Sequence, residues 1–226
     1  MYLLWKHFAL GFSALLPLIN PLGSAIIFLG LVGSAPTNVY RALARRIALN
    51  TAIFLTIIEL GGSALLQFFG ISLPIMQLAG GIVIAMIGWT MLNQKDSQPN
   101  PEKTPSDAPA ETQSEIENLH QKAFYPFTFP VTAGPGCIVV MLTLSVHATE
   151  HTFSNTVLAH LGLLLAVMLL SGLVYLCYAY APRISGAIRP STVHGILRVV
   201  AFILLCIGVQ IAWNGINDLL VPLLKH

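Results

Sequence analysis

Two clusters of backbone-breaking residues interrupt hydrophobic stretches about half a chain apart. They read Pro17-Leu-Ile-Asn20-Pro21-Leu-Gly23 and Thr132-Ala-Gly134-Pro135-Gly136. Proline removes a helix donor and glycine relaxes the backbone, so a hydrogen-bonded helix should break at each. A half-helix that begins after such a break presents free N–H groups and the positive end of its dipole. Small residues let a carboxylate or polar group approach that backbone. Asn20 can donate and accept, and Thr132 adds a hydroxyl. Asn20, Pro21, Gly23, Thr132, Gly134, Pro135 and Gly136 are therefore the candidate binding residues, suited to a zwitterionic or amide-bearing solute. The alternative is that Pro and Gly merely kink packed helices, since both are common in membrane helices.

Glu59 is the second candidate. It falls roughly 18 Å along a helix that begins near Ile47, a little past the middle of a roughly 30 Å hydrocarbon core. A carboxyl group there must face protein or a cavity. It could take up a proton and couple transport to a proton gradient. Equally, it could sit protonated against a neighbouring helix, or reach the outer interface. Arg198, near the end of a span, can snorkel, and interhelical hydrogen bonding accounts for the lone polar residues His160 and Gln210. Gly81/Ala85/Gly88 and Gly208/Ala212/Gly215, each at i, i+4, i+7, read as helix-packing seams. Cys137, Cys177 and Cys206 show neither metal spacing nor a disulfide framework, and no cofactor is expected.

The elements that must position these residues are membrane helices. Of the chain, 55% is hydrophobic and 9% charged, with a mean hydropathy of +0.77; a soluble domain is usually about 25% charged. Six apolar stretches are long enough to span a bilayer: Phe8–Val32, Ile47–Phe69, Ile71–Leu92, Phe124–Val146, Thr156–Ala181 and Val193–Ile216. The first is expected to be a retained helix rather than a cleaved signal peptide, being too long and lacking a small-residue cleavage site. Arg41, Arg45, Arg46, Lys95, Lys103, Lys122, Arg183, Arg189 and Arg198 all fall on one face, leaving Lys6 and Lys225 on the other. The positive-inside rule then places those loops in the cytoplasm and both termini outside.

Residues 94–123 are rich in Pro, Glu, Ser and Gln and cannot bury a core, so they read as a disordered cytoplasmic linker. The linker divides the chain into a first repeat, 1–93, and a second, 124–226. With three spans each, the halves must enter the membrane in opposite senses. "LAGGIVIAMIGWTMLN" resembles "RVVAFILLCIGVQIAWN", aligning Gly88 with Gly208 and Asn93 with Asn214. The expected fold is thus an all-α polytopic membrane protein. Its six transmembrane helices form two inverted-topology three-helix repeats, each with a broken first helix, as in secondary transporters.

"LLPLINPLGSAIIFLGL" (15–31), "GISLPIMQLAGGIVIAMIG" (70–88), "FPVTAGPGCIVV" (129–140) and "HGILRVVAFILLCIGVQIAWNGI" (194–216) resemble the MarC family of bacterial inner-membrane proteins. The resemblance covers everything but the linker. It implies six helices in two related halves, and kinship with a group classed as small neutral amino acid transporters. Members usually carry Arg where this chain has Gln77, while the repeat-related position keeps Arg198. If that first arginine binds a carboxylate elsewhere in the family, half of a pair is missing here.

The expected activity is secondary transport of a small neutral solute, most plausibly an amino acid, across the bacterial inner membrane. An intramembrane enzyme would want a second carboxylate, a Ser/His pair or a metal cluster, and no motif supplies one. A non-transporting scaffold is a third reading, but it leaves the paired breaks unexplained. The net charge of +2 follows from topology and gives nucleic-acid binding no support. The sequence leaves a homo-oligomer open.

Overall fold

The protein is described from a computed structural model covering residues 1–33, 35–93, 123–149, 152–187 and 190–224. Within them the chain is helical, with no strand. Helix α1 (Tyr2–Ile19) and α2 (Pro21–Val32) meet at Asn20, whose φ of 42° and ψ of 67° are left-handed. Asn20 is the one non-glycine residue with positive φ among the described residues, and asparagine is one of the few types that visit this region readily. Pro21 then opens α2 at the position where a missing N–H costs nothing. The first break therefore sits within the sequence cluster that predicted it.

The second break is broader than the sequence implied. Ala123–Thr132 forms a stretch of π-type turns, α5, with extended backbone at Tyr125 and Phe129. Pro126 and Pro130 deny it a regular ladder. The hydroxyls of Thr128 and Thr132 instead reach back five residues to the carbonyls of Ala123 and Phe127, at 2.8 and 2.7 Å. The chain bends by 69° before α6 (Pro135–His147).

The remaining helices are α3 (Thr37–Phe68), α4 (Leu73–Asn93), α7 (Phe153–Ala179), α8 (Ala181–Ala187) and α9 (Pro190–Leu224). Four stretches are long and apolar enough to cross a membrane: Tyr2–Val32, which joins α1 and α2, then Leu73–Asn93, Phe153–Ala179 and Leu197–Val221. The bent α5–α6 pair makes a fifth. The remaining predicted span, Ile47–Phe69, lies on α3, which is not among these five. That helix starts at Thr37 because Arg41, Ala42, Leu43, Ala44, Arg45 and Arg46 are good helix formers that extend it. The linker expected over 94–123 lies, apart from Ala123, outside the described residues.

Much of the helix packing recurs when the two halves of the chain are exchanged in order, α1 with α5, α2 with α6, α3 with α7 and α4 with α9. Helix α1 packs on α7 as α5 packs on α3, α2 on α7 as α6 on α3, and α1 on α6 as α5 on α2, while the pairs α3–α7 and α4–α9 map onto themselves; the α4–α6 and α1–α9 contacts are not matched in this way. The predicted small-residue seams form the α4–α9 crossing. A methyl group on Gly81 would strike the backbone of Ala212 and Gly208, and one on Gly208 that of Ala85 and Gly81. One on Gly88 would lie 2.6 Å from the Leu205 nitrogen. This crossing matches Gly81 with Gly208 and Gly88 with Gly215, correcting the alignment of Gly88 with Gly208. Similar apolar residues on every turn leave register undetermined in sequence, whereas backbone contact admits one register.

At one end of the bundle, Phe28 stacks on Tyr178 with ring centroids 4.5 Å apart and meets Phe127 and Tyr40 edge-on, tying α2 to α3, α5 and α7. Beside this cluster the guanidinium groups of Arg41 and Arg183 lie 5.8 and 5.7 Å from the ring centre of Tyr180. The basic ends of α3 and α8 thus share one face of the bundle.

Candidate functional site

Both breaks open onto one cavity of about 370 Å³. From the first come Asn20, Gly23 and Ser24; from the second Gly134, Pro135, Gly136 and Cys137. Ile84 and Ile87 of α4 and Leu197 and Leu204 of α9 close it with apolar side chains. The volume falls within the roughly 300–1,000 Å³ of small-molecule pockets, and a few polar groups in an apolar wall is their usual make-up.

The two helix starts differ in what they offer. At α2, the Asn20 side chain accepts from the Gly23 N–H at 3.2 Å, and the Asn20 carbonyl accepts from both the N–H and hydroxyl of Ser24 at 2.9 Å. Much of that terminus is thus satisfied internally. Helix α6 begins at Pro135, which has no N–H, without a side-chain cap, and its Cys137 N–H donates to the Gly134 carbonyl at 2.9 Å, so of its first three residues Gly136 is the one with an N–H to offer. Gly136 keeps that end open: a methyl group there would lie 2.8 Å from Leu18 Cδ2 and 3.0 Å from Ile84 Cγ1. Both starts thus keep one second-position N–H, that of Gly136 on the shared cavity and that of Leu22 on a neighbouring space, so α6 is the better placed to receive a polar group there.

Not every predicted residue faces the cavity. Pro21 lines a neighbouring space of about 440 Å³, with Pro17, Leu173 and Cys177; Asn20 borders both. Thr132 is fully buried behind the break. Its hydroxyl donates to the Phe127 carbonyl and accepts from the Tyr178 hydroxyl at 2.7 Å, which leaves it structural rather than solute-facing. The π-type turns of α5 turn it away from the cavity, and no sequence signal announced them beyond the four-residue spacing of Pro126 and Pro130. Ser24 and Cys137 were missed, although Ser24 lies four residues after Asn20 on the same helix face.

Glu59 lies apart from this cavity, in the contact of α3 with α6 and α7, and is fully buried. Its Oε1 pairs with His160 Nδ1 from α7, 101 residues away in sequence. The Ser145 hydroxyl of α6 donates to the Glu59 main-chain carbonyl. Glu59 Oε2 has no hydrogen-bond partner among the described residues. His160, which the sequence assigned to interhelical hydrogen bonding, makes such a bond here and keeps 23% of its side chain exposed. Gln77 is buried against α9 near Gly215 and does not line the cavity. Among the described residues no group of His, Cys, Asp and Glu is placed to hold a metal ion.

Comparison with known proteins gives a single family. A family model described as "MarC family integral membrane protein" matches residues 5–220. The inner membrane protein MarC of Escherichia coli (strain K12) is 33% identical over 231 residues, covering 96% of this chain and 97% of that protein. The protein of the same name from Shigella flexneri matches to the same extent. Neither the family description nor these names mention a catalytic activity. No solved structure matches the chain.

Proposed function

The chain belongs to the MarC family, and from that premise we propose that it is a secondary transporter of the bacterial inner membrane for a small neutral solute, an amino acid. The observation that carries this is the shared cavity: two helix breaks from opposite halves of the chain line the same space. Irregular backbone at membrane depth is tolerated where it lines a cavity, and paired broken helices are how many transporters build a substrate site. Asn20 and Ser24 supply polar side chains, the Gly136 N–H at the α6 start supplies a backbone donor, and the isoleucines and leucines accept the aliphatic part of a solute.

Six spans in two inverted repeats, 1–93 and 124–226, are part of this reading. The partial exchange symmetry of the packing and the α4–α9 crossing support it. Nine of the eleven Lys and Arg residues on one face support cytoplasmic loops and periplasmic termini. Glu59 is the proposed proton carrier. A buried carboxyl with one oxygen on an accessible histidine can exchange its proton through that ring.

The direct test is a thermal-shift screen of the purified protein against amino acids and common metabolites. Selective binding to the native state raises apparent stability by RT ln(1 + [L]/Kd), about 2.7 kcal/mol at a hundredfold excess over Kd. A neutral amino acid is expected to raise the transition, and Asn20→Leu to abolish that rise. A rise that survives Asn20→Leu moves the site elsewhere, and no response to any small solute removes the transporter reading.

A further inference from the structure

The outer face of α9 carries a pattern that the transporter reading does not use. Ile203, Cys206, Gln210, Trp213, Asn217 and Leu220 are all exposed along the side of the helix away from the Gly208 crossing, with Trp213 also bordering the groove between α9 and α4. Their spacing alternates three and four residues throughout, which is the a/d repeat of a helix that packs along one straight seam. Gln210 stands in the middle of it. It lies 13 residues from Leu197 and 11 from Val221, the ends of the apolar span, or roughly 17–20 Å from either end of the helix. A short amide cannot reach an interface from there.

The Gln210 Nε2 group donates to Asn214 Oδ1 at 2.9 Å, one turn on. That bond uses one donor and one acceptor of two amides, and their remaining capacity points outward. Hydrocarbon offers no hydrogen bonds, so this face calls for a polar partner. We infer that α9 pairs with α9 of a second copy of this chain through the seam from Ile203 to Leu220, with Gln210 opposite Gln210. The occupant is a second copy because the surface complements itself. An amide carries both donor and acceptor, so a two-fold axis along the membrane normal places each Gln210 where the other can satisfy it. Gln210 and Asn217, both at a positions, also fix register, since a slip of one heptad would set a Gln210 amide against the apolar Ile203 of the other copy. Both copies then insert in the same sense, and the dimer forms on the side of α9 away from the Gly208 crossing. The pairing is independent of whether the protein transports.

Cys206 makes the seam testable with the natural chain. In proteoliposomes at low protein density, a short bis-maleimide should cross-link the full-length protein into a dimer, and Cys206→Ser should abolish the band. Met168→Cys in the Cys206→Ser background, exposed on α7, measures random collision. The expected Cys206 yield is several-fold above that control. Gln210→Leu, which keeps the apolar span intact, should lower the yield by about threefold to tenfold. Single-molecule photobleaching should show two steps for the wild type and one for Gln210→Leu. Cross-linking at Cys206 no better than at the control, or a dimer indifferent to Gln210→Leu, would overturn the inference. A Cys206 adduct of another mass would do the same, because it would mean that lipid or another protein covers the seam.

Discussion

Replacing Asn20 separates the backbone of the first break from its chemistry. Alanine there must adopt φ 42°, at a cost of roughly 1–2 kcal/mol for an L-residue with a Cβ. It also removes the 3.2 Å bond to the Gly23 N–H, a cap that contributes about 1 kcal/mol. Asn20→Ala should therefore destabilise by about 2–3 kcal/mol. Glycine reaches the same φ freely and loses only a few tenths of a kcal/mol as a cap. Asn20→Gly should cost less than about 1 kcal/mol. Equilibrium unfolding in mixed micelles, followed by fluorescence of Trp5, Trp89 and Trp213, measures both. The two variants lose the same amide from the cavity, so any solute response should fall equally in each while stability falls mainly in one. Equal stabilities, or a glycine variant weaker than the alanine one, would mean that Asn20 does not hold the left-handed turn and that the break arises otherwise.

Gly136→Leu should fill the cavity from the α6 side and abolish solute-induced stabilisation while membrane insertion, read by carbonate extraction, persists; a retained response would place the solute outside the cavity. Glu59→Gln should keep exchange down a gradient and lose proton-driven accumulation in proteoliposomes, whereas Glu59→Ala should also lose stability with its bond to His160. Full accumulation by the Gln variant removes Glu59 from coupling. Gly81→Leu should prevent α4 and α9 from meeting, since its neighbours are α9 backbone atoms that cannot swing aside, and folded yield should collapse. Gly30→Leu, with no atom within 4 Å of an added Cβ, should be tolerated. Reporter fusions after Val32 and within residues 94–122 should both read cytoplasmic, and a periplasmic signal from the second would dismantle the inverted-repeat arrangement.

Membrane residence, the positions of the breaks and the small-residue seams were legible in the sequence because each rests on local chemistry. Apolar length, a missing proline N–H and the absence of a Cβ act wherever the chain goes. The breaks at Asn20 and before Pro135 fall where those residues require them. The extent of α5 was less legible, because π-type turns depend on Thr128 and Thr132 finding carbonyls that two prolines leave available. What only the tertiary structure decided concerns pairs distant in the chain. His160 and Glu59 lie on different helices, and either could have been a satisfied core residue. Thr132 looked like Asn20 as a polar group at a break, yet Tyr178, brought beside α5 only once both pack around Phe28 of α2, binds its hydroxyl. The match of Gly81 with Gly208 likewise needed two backbones in contact. Hydropathy repeats too evenly to specify which turn meets which, and a methyl-sized space between helices exists only once they have packed.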